Sequence, residues 1–216
     1  MSGKAILSSE NVFWDSCVFI RYFIGDTKAA HFDDICRYVE EAKSGKRKIH
    51  FSTVTLAEFR QEHFRESEFG SMREFLEDMG TACIPIEPNP NVMIQCSELR
   101  SADPIDPGRP NKKAARVLST PDAIMLMSAV YAKEALGIDD LVLHSTDEGK
   151  GKNWSGKCIP VVGFERWYPD HVRTPVVQSV CNLERIKPIH PEPHLSGIVI
   201  HGRFDPKSGD KAKPVA

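Results

Sequence analysis

Apolar positions along this chain change period repeatedly, and each change marks a new element. Residues 11–14, NVFW, read as a short buried strand, and after Asp15 the run SCVFIRYFIG carries apolar residues at helical as well as strand spacing. A strand feeding straight into a helix fits this best. From about 28 to 44, Ala29, Phe32, Ile35, Cys36 and Val39 recur at three and four, and Gly45 follows as a stop, so an amphipathic helix is predicted. KIHFS is the second predicted strand. A helix is expected to begin near Thr53–Thr55 and run towards Phe64, and another to span about 71–79, closed by Gly80. Residues 82–86 predict a third strand and NPNVMIQCSELR a helix. The turn-rich ADPIDPGRPN comes next, then a helix over about 121–136, a fourth strand at 141–144 and a short fifth at CIPVVG from Cys158.

Strands alternating with helices predict parallel βαβ units with helices on both faces of one sheet. Past Glu165 the texture changes, with prolines at 169, 175, 188, 191, 193, 206 and 214. This divides the chain into a compact domain over 1–164 and a Pro-rich C-terminal extension over 165–216. Within the extension SGIVIHGRF reads as an isolated strand, and the polar last twelve residues are expected to be mobile.

At 216 residues, one such domain buries roughly 70% of its unfolded surface, enough for a proper core. Lys and Arg total 28 against 30 Asp and Glu, net −2, so no global positive field marks a nucleic-acid binder, and any such contact must come from local patches. Six scattered cysteines without a CxxC read as reduced thiols. The first residues lack the apolar centre of a signal peptide, and no apolar run approaches the ~20 residues that span a bilayer. A cytoplasmic protein away from membranes is expected.

Four acidic residues stand where apolar segments give way to turns or helix starts: Asp15 after VFW, Glu58 in STVTLAEF, Asp122 in STPDAIML and Asp147 in LVLHSTD. Each has an ordinary explanation. Asp15 can cap a helix. Glu58 stands three after Thr55 in a capping-box pattern. Asp122 can be a first-turn carboxylate behind a Thr120 cap and Pro121. Asp147 can be a turn residue. Their combination says more, because ligands of an open parallel sheet bind outside the carboxyl ends of the strands, where the winding reverses. Four carboxylates gathered there would repel one another, and a hard cation, Mg²⁺ or Mn²⁺, is their natural counter-charge.

In their order VFWDSCVFI, STVTLAEF, STPDAIMLMSAV and LVLHSTD resemble the acidic motifs of PIN-domain nucleases, over about residues 10–163. The resemblance implies a three-layer α/β/α fold with a central parallel sheet in order 3-2-1-4-5. It implies a metal-dependent ribonuclease site of Asp15, Glu58, Asp122 and Asp147, with Ser16 and Thr146 close by, and products ending in 5′-phosphate and 3′-hydroxyl. RNA is then the substrate. A protein partner such as an antitoxin, or a second copy of the chain, is compatible with the family, and the motifs do not separate toxin from processing roles. The segment ADPIDPGRPNKK and the Pro-rich extension depart from the compact family core.

Arg109, Lys112, Lys113 and Arg116 precede Asp122, and Lys150 and Lys152 follow Asp147; all can grip flanking phosphates or simply form a solvated surface. Trp154 can stack on a base or anchor a loop. A dehalogenase-type phosphatase needs a second Asp two residues after the first, where this chain has Cys17, and a response receiver needs adjacent acids that are missing. The serious rival is a catalytically weak PIN-like scaffold that binds RNA or protein. A zinc site from Cys181, His190, His194 and His201 is disfavoured by the Pro-Glu-Pro between two of the histidines and by the lack of paired cysteines.

Overall fold

The computed structural model describes residues 9–149 and 157–191, the side chains of 110 and 111 excepted. In chain order its strands are β1 (Asn11–Trp14), β2 (Lys48–Ser52), β3 (Cys83–Ile86), β4 (Ile105–Asp106), β5 (Arg109–Lys113), β6 (Val142–His144) and β7 (Glu184–Ile186). The α-helices are α1 (Ser16–Ile24), α2 (Phe32–Lys43), α3 (Met72–Met79), α4 (Pro90–Ser101), α5 (Thr120–Glu134) and α6 (Pro175–Cys181). Five strands form one parallel sheet in the order β3-β2-β1-β6-β7, flanked by helices.

Side chains alternate across β1 and so divide the core in two. Val12 and Trp14 face α1, α2 and α3, with Phe19 ringed by Trp14, Phe23, Phe51, Phe59 and Phe75. Phe13 faces α4, α5 and α6. Helix α5 runs through this second layer with Ala123 to Val130 buried on every side, so its first turn is held deep at the rim of the sheet. Among the described residues no helix is long and apolar enough to cross a membrane.

Several elements differ from the sequence pattern. Helix α2 begins at Phe32 rather than near residue 28, because the Asp26 carboxylate accepts the Lys28 N–H in a turn and His31 takes a left-handed φ of 66°. The helix expected from Thr53 towards Phe64 is instead two 3₁₀ segments, Thr53–Glu58 and Gln61–Phe64, a result of the β-branched run Thr53-Val54-Thr55 and of Phe59 turning into the aromatic cluster. The segment ADPIDPGRPN folds back as the antiparallel pair β4–β5. The fifth strand is not CIPVVG, which contributes only an isolated parallel bridge from Cys158 to Val117; it is β7. Residues 165–186, assigned by composition to the extension, therefore pack on the same sheet, with Tyr168, Val177, Val180 and Leu183 in its core. The isolated strand expected at 196–204 and the mobile last twelve residues lie outside the described residues.

Candidate active site

Strands β1 and β6 are neighbours at the point where the winding reverses, in register Trp14 with His144, and the Asp15 N–H extends the ladder to the His144 carbonyl at 3.1 Å. The crevice above their carboxyl ends is where such sheets bind ligands. Asp15 opens it. Its carboxylate is only 5% exposed and does not cap α1. It accepts instead from the Ser145 hydroxyl at 2.7 Å, the Cys17 thiol at 3.2 Å and the Ser16 hydroxyl at 3.3 Å.

Glu58 closes the first 3₁₀ segment and is positioned by its neighbour Phe59, packed edge-on to Phe19 and Phe23. The capping box suggested by Thr55 does not form: Thr55 lies inside the segment with its hydroxyl buried and unpartnered. The Ser16 hydroxyl bonds Glu58 as well as Asp15, and so links two of the four acids. Burial, and secondarily the charge of Asp15, raise the Glu58 carboxyl above its ordinary range.

The cap of α5 is Ser119, one residue before the Thr120 expected, with Pro121 in the first turn. Ser119 Oγ accepts the Asp122 N–H at 3.2 Å and its hydroxyl donates to the Asp122 carboxylate. Despite that donor, burial and the charges of Asp15, Asp147 and Glu58 push the Asp122 carboxyl up to about 7. Asp147 does form a turn, accepting from the N–H groups of Gly149 at 2.9 Å and Val161 at 3.3 Å. It too is raised, first by burial and then by Asp15, with Arg116 opposing. The four acids thus share one electrostatic environment.

The basic residues divide. Arg116 belongs to the rim: its guanidinium lies 5.1 Å from the Trp167 ring centroid, donates to the carbonyls of Gly149 and Cys158, and bears on Asp147. Arg109 and Lys113 are spent locally in ion pairs with Asp106 and Asp103 on and beside the β4–β5 pair, and Lys112 is exposed on it. Lys150, Lys152 and Trp154 lie outside the described residues. Among the described residues, Thr146 meets the cluster through Cys17, whose sulfur accepts its N–H at 3.2 Å.

Sequence reasoning passed over Ser145, Cys17 and Ser119. Ser145, fully buried, donates to Asp15 and accepts the Asp147 N–H at 3.0 Å, so a single hydroxyl joins the ends of β1 and β6. Its only trace in the sequence is a hydroxyl two residues before an acid, the spacing of a serine turn. The Cys17 thiol is raised far above its ordinary range by burial and by Asp15, and stands as a neutral donor.

Among the described residues, no group of three or more His, Cys, Asp or Glu side chains is arranged as it stands to hold a metal ion. The cluster's fit to a cation is therefore in charge and donor type: hard oxygen donors, three of them with pKa values raised first by burial and then by one another's charge. Of the zinc candidates, Cys181 sits among Arg173, Arg185 and Glu165, and His190 packs on Tyr38 with Glu41 at 3.2 Å, while His194 and His201 lie outside the described residues. No protein-family model matches this sequence, and no curated protein matches it.

Proposed function

We propose that this protein is a divalent-metal-dependent ribonuclease of the PIN-like kind. The observation that carries the reading is the convergence of four carboxylates at the switch point of a parallel sheet, sensed most strongly by Asp122, whose carboxyl is raised to about 7 by burial and by the other three. Structural carboxylates at turns and caps are normally stabilised by what surrounds them, whereas Glu58, Asp122 and Asp147 are raised by burial and further by neighbouring acids, the arrangement expected of a site that awaits positive charge.

Asp15 and Asp147 would hold Mg²⁺ or Mn²⁺, with Glu58 and Asp122 bound directly or through water. Such an ion acidifies a bound water and offsets charge on the scissile phosphate. The chain's own contribution is positional. Ser145 and Cys17 fix Asp15 by hydrogen bonds to Oδ2, Ser16 spans Asp15 and Glu58, and the Gly149 and Val161 amides orient Asp147. Asp122, raised to about 7 and so part-protonated near neutrality, would release that proton on binding a cation. Arg116 supplies positive charge at the rim for a flanking phosphate.

The test is cleavage of a mixed RNA pool with and without Mn²⁺ by the parent protein, Asp15→Asn and Asp147→Asn. Cleavage should require the metal and fall on the order of a hundredfold or more in each variant, since even residues that only support a metal ligand cost 10–100-fold. Parent-level cleavage by folded variants refutes the mechanism. A parent protein that binds RNA without cutting it, with or without metal, identifies the scaffold instead.

A further inference from the structure

Away from the carboxylates, α4 and α5 leave an open cavity of about 380 Å³ between them, lined by Met93, Cys96, Ser97, Arg100, Ser101 and Thr120. We propose that this cavity is a subsite for a nucleotide flanking the scissile bond, with Arg100 on its phosphate and Met93 against its sugar or base. The inference rests on the ribonuclease reading and extends it to how the substrate lies.

Three features of the lining support it. The first is chemistry: a guanidinium beside three hydroxyls is a set suited to phosphate oxygens. The Ser101 hydroxyl is committed to the Ser97 carbonyl at 2.8 Å, which leaves Ser97 and Thr120 as the hydroxyl donors. Arg100 is exposed and, among the described residues, makes no ion pair, yet its charge reaches the Cys96 thiol on the cavity wall. The second is an apolar step at the same mouth. Met93 is 44% exposed, and Ile94 next to it 60%, on a helix whose other apolar positions are buried.

The third is position. Thr120 lies in the first turn of α5, between the Ser119 cap and Asp122, so the cavity and the acidic cluster lie on either side of one helical turn. A helix with its side chains is ~10 Å across, a span that a strand of RNA crosses in a nucleotide or two. The volume is also at the low end of those that hold small ligands. Arg100 has a local role as a cation in the last turn of α4. That role predicts an effect on stability and none on RNA.

The experiment is binding of a fluorescent single-stranded RNA in EDTA, where nothing is cut, across a salt series. Arg100→Ala should weaken binding roughly tenfold and lower the slope of log affinity against log salt by about 0.7, the value of one lost phosphate contact on a single strand. Arg100→Lys should retain the slope. Thr120→Val should weaken binding with the slope unchanged. Arg73→Ala, an exposed arginine on α3 in the opposite layer, is the control and should behave as the parent. Identical salt slopes for Arg100→Ala and the parent overturn the subsite. So does an equal fall in Arg73→Ala, which would reveal only a general field, and so does failure of the parent to bind RNA. Because the readout needs no metal and no cleavage, loss of the subsite leaves the nuclease test standing, and a parent that binds without cutting removes the nuclease reading alone.

Discussion

Replacing Asp122 by Asn distinguishes a strained acidic cluster from an ordinary helix start, because the two predict opposite signs. The Asp122 carboxyl is raised from an ordinary 3.8 to about 7 in the fold. Between those values the folded chain binds a proton at Asp122 that the unfolded chain has lost, so this group's contribution to the stability of the metal-free protein is fully present below 3.8 and is lost as pH rises towards 7. At about 1.4 kcal/mol per pH unit, the loss reaches about 4 kcal/mol. This is an upper figure, since Glu58 and Asp147 titrate with Asp122 and solvent screens the half-buried group. Asn keeps the shape and still accepts from Ser119 but carries no charge. In EDTA at pH 7, Asp122→Asn should therefore melt higher than the parent, by on the order of 10 °C at most for a chain of this size. Its stability should fall less steeply than the parent's between pH 4.5 and 7, and Mn²⁺ should stabilise it less than the parent. If Asp122 is merely a first-turn carboxylate favoured by the helix dipole, Asn loses about 0.3–1 kcal/mol instead. A variant that melts below the parent at pH 7 in EDTA, or that keeps the parent's pH slope, refutes the argument.

Ser145→Ala removes both the donor to Asp15 and the acceptor of the Asp147 N–H; urea unfolding should show a loss of about 1–3 kcal/mol, with Mn²⁺-dependent cleavage reduced more than tenfold. Gly149→Ala puts a side chain at φ +67° with its Cβ 2.9 Å from the Arg116 guanidinium, so it should cost about 1–2 kcal/mol by the same measurement and weaken RNA binding through the displaced arginine.

Much of this architecture was legible in the chain because it rests on local pattern. β1 and the helix carrying Asp122 are dense apolar runs with clear ends, and an acid directly after an apolar strand, as at Asp15, stands at the carboxyl edge of a parallel sheet. What escaped depends on partners distant in sequence. β7 is three residues, Glu-Arg-Ile, with no period of its own and prolines soon after; it is a strand only because β6 offers an open edge. The expected helix around Glu58 failed because Phe59 packs against three other rings, Phe19, Phe23 and Phe64, a contact that no local propensity records. Ser145 was invisible as a site residue because the oxygen it serves belongs to Asp15, 130 positions away.

That separation has a consequence for how the protein is made. Contacts between distant parts of a chain form slowly, since the intervening loop must close before they repay its entropy. β1 and Asp15 leave the ribosome early, but β6 pairs with β1 only after most of the chain has followed, and its far edge stays open until residues 184–186 arrive. During synthesis the first of the four acids therefore waits without Ser145 or Asp147. A nascent chain assembled in this order completes its acidic cluster only near the end of synthesis, and the open edge of β6 is covered last of all, when β7 arrives.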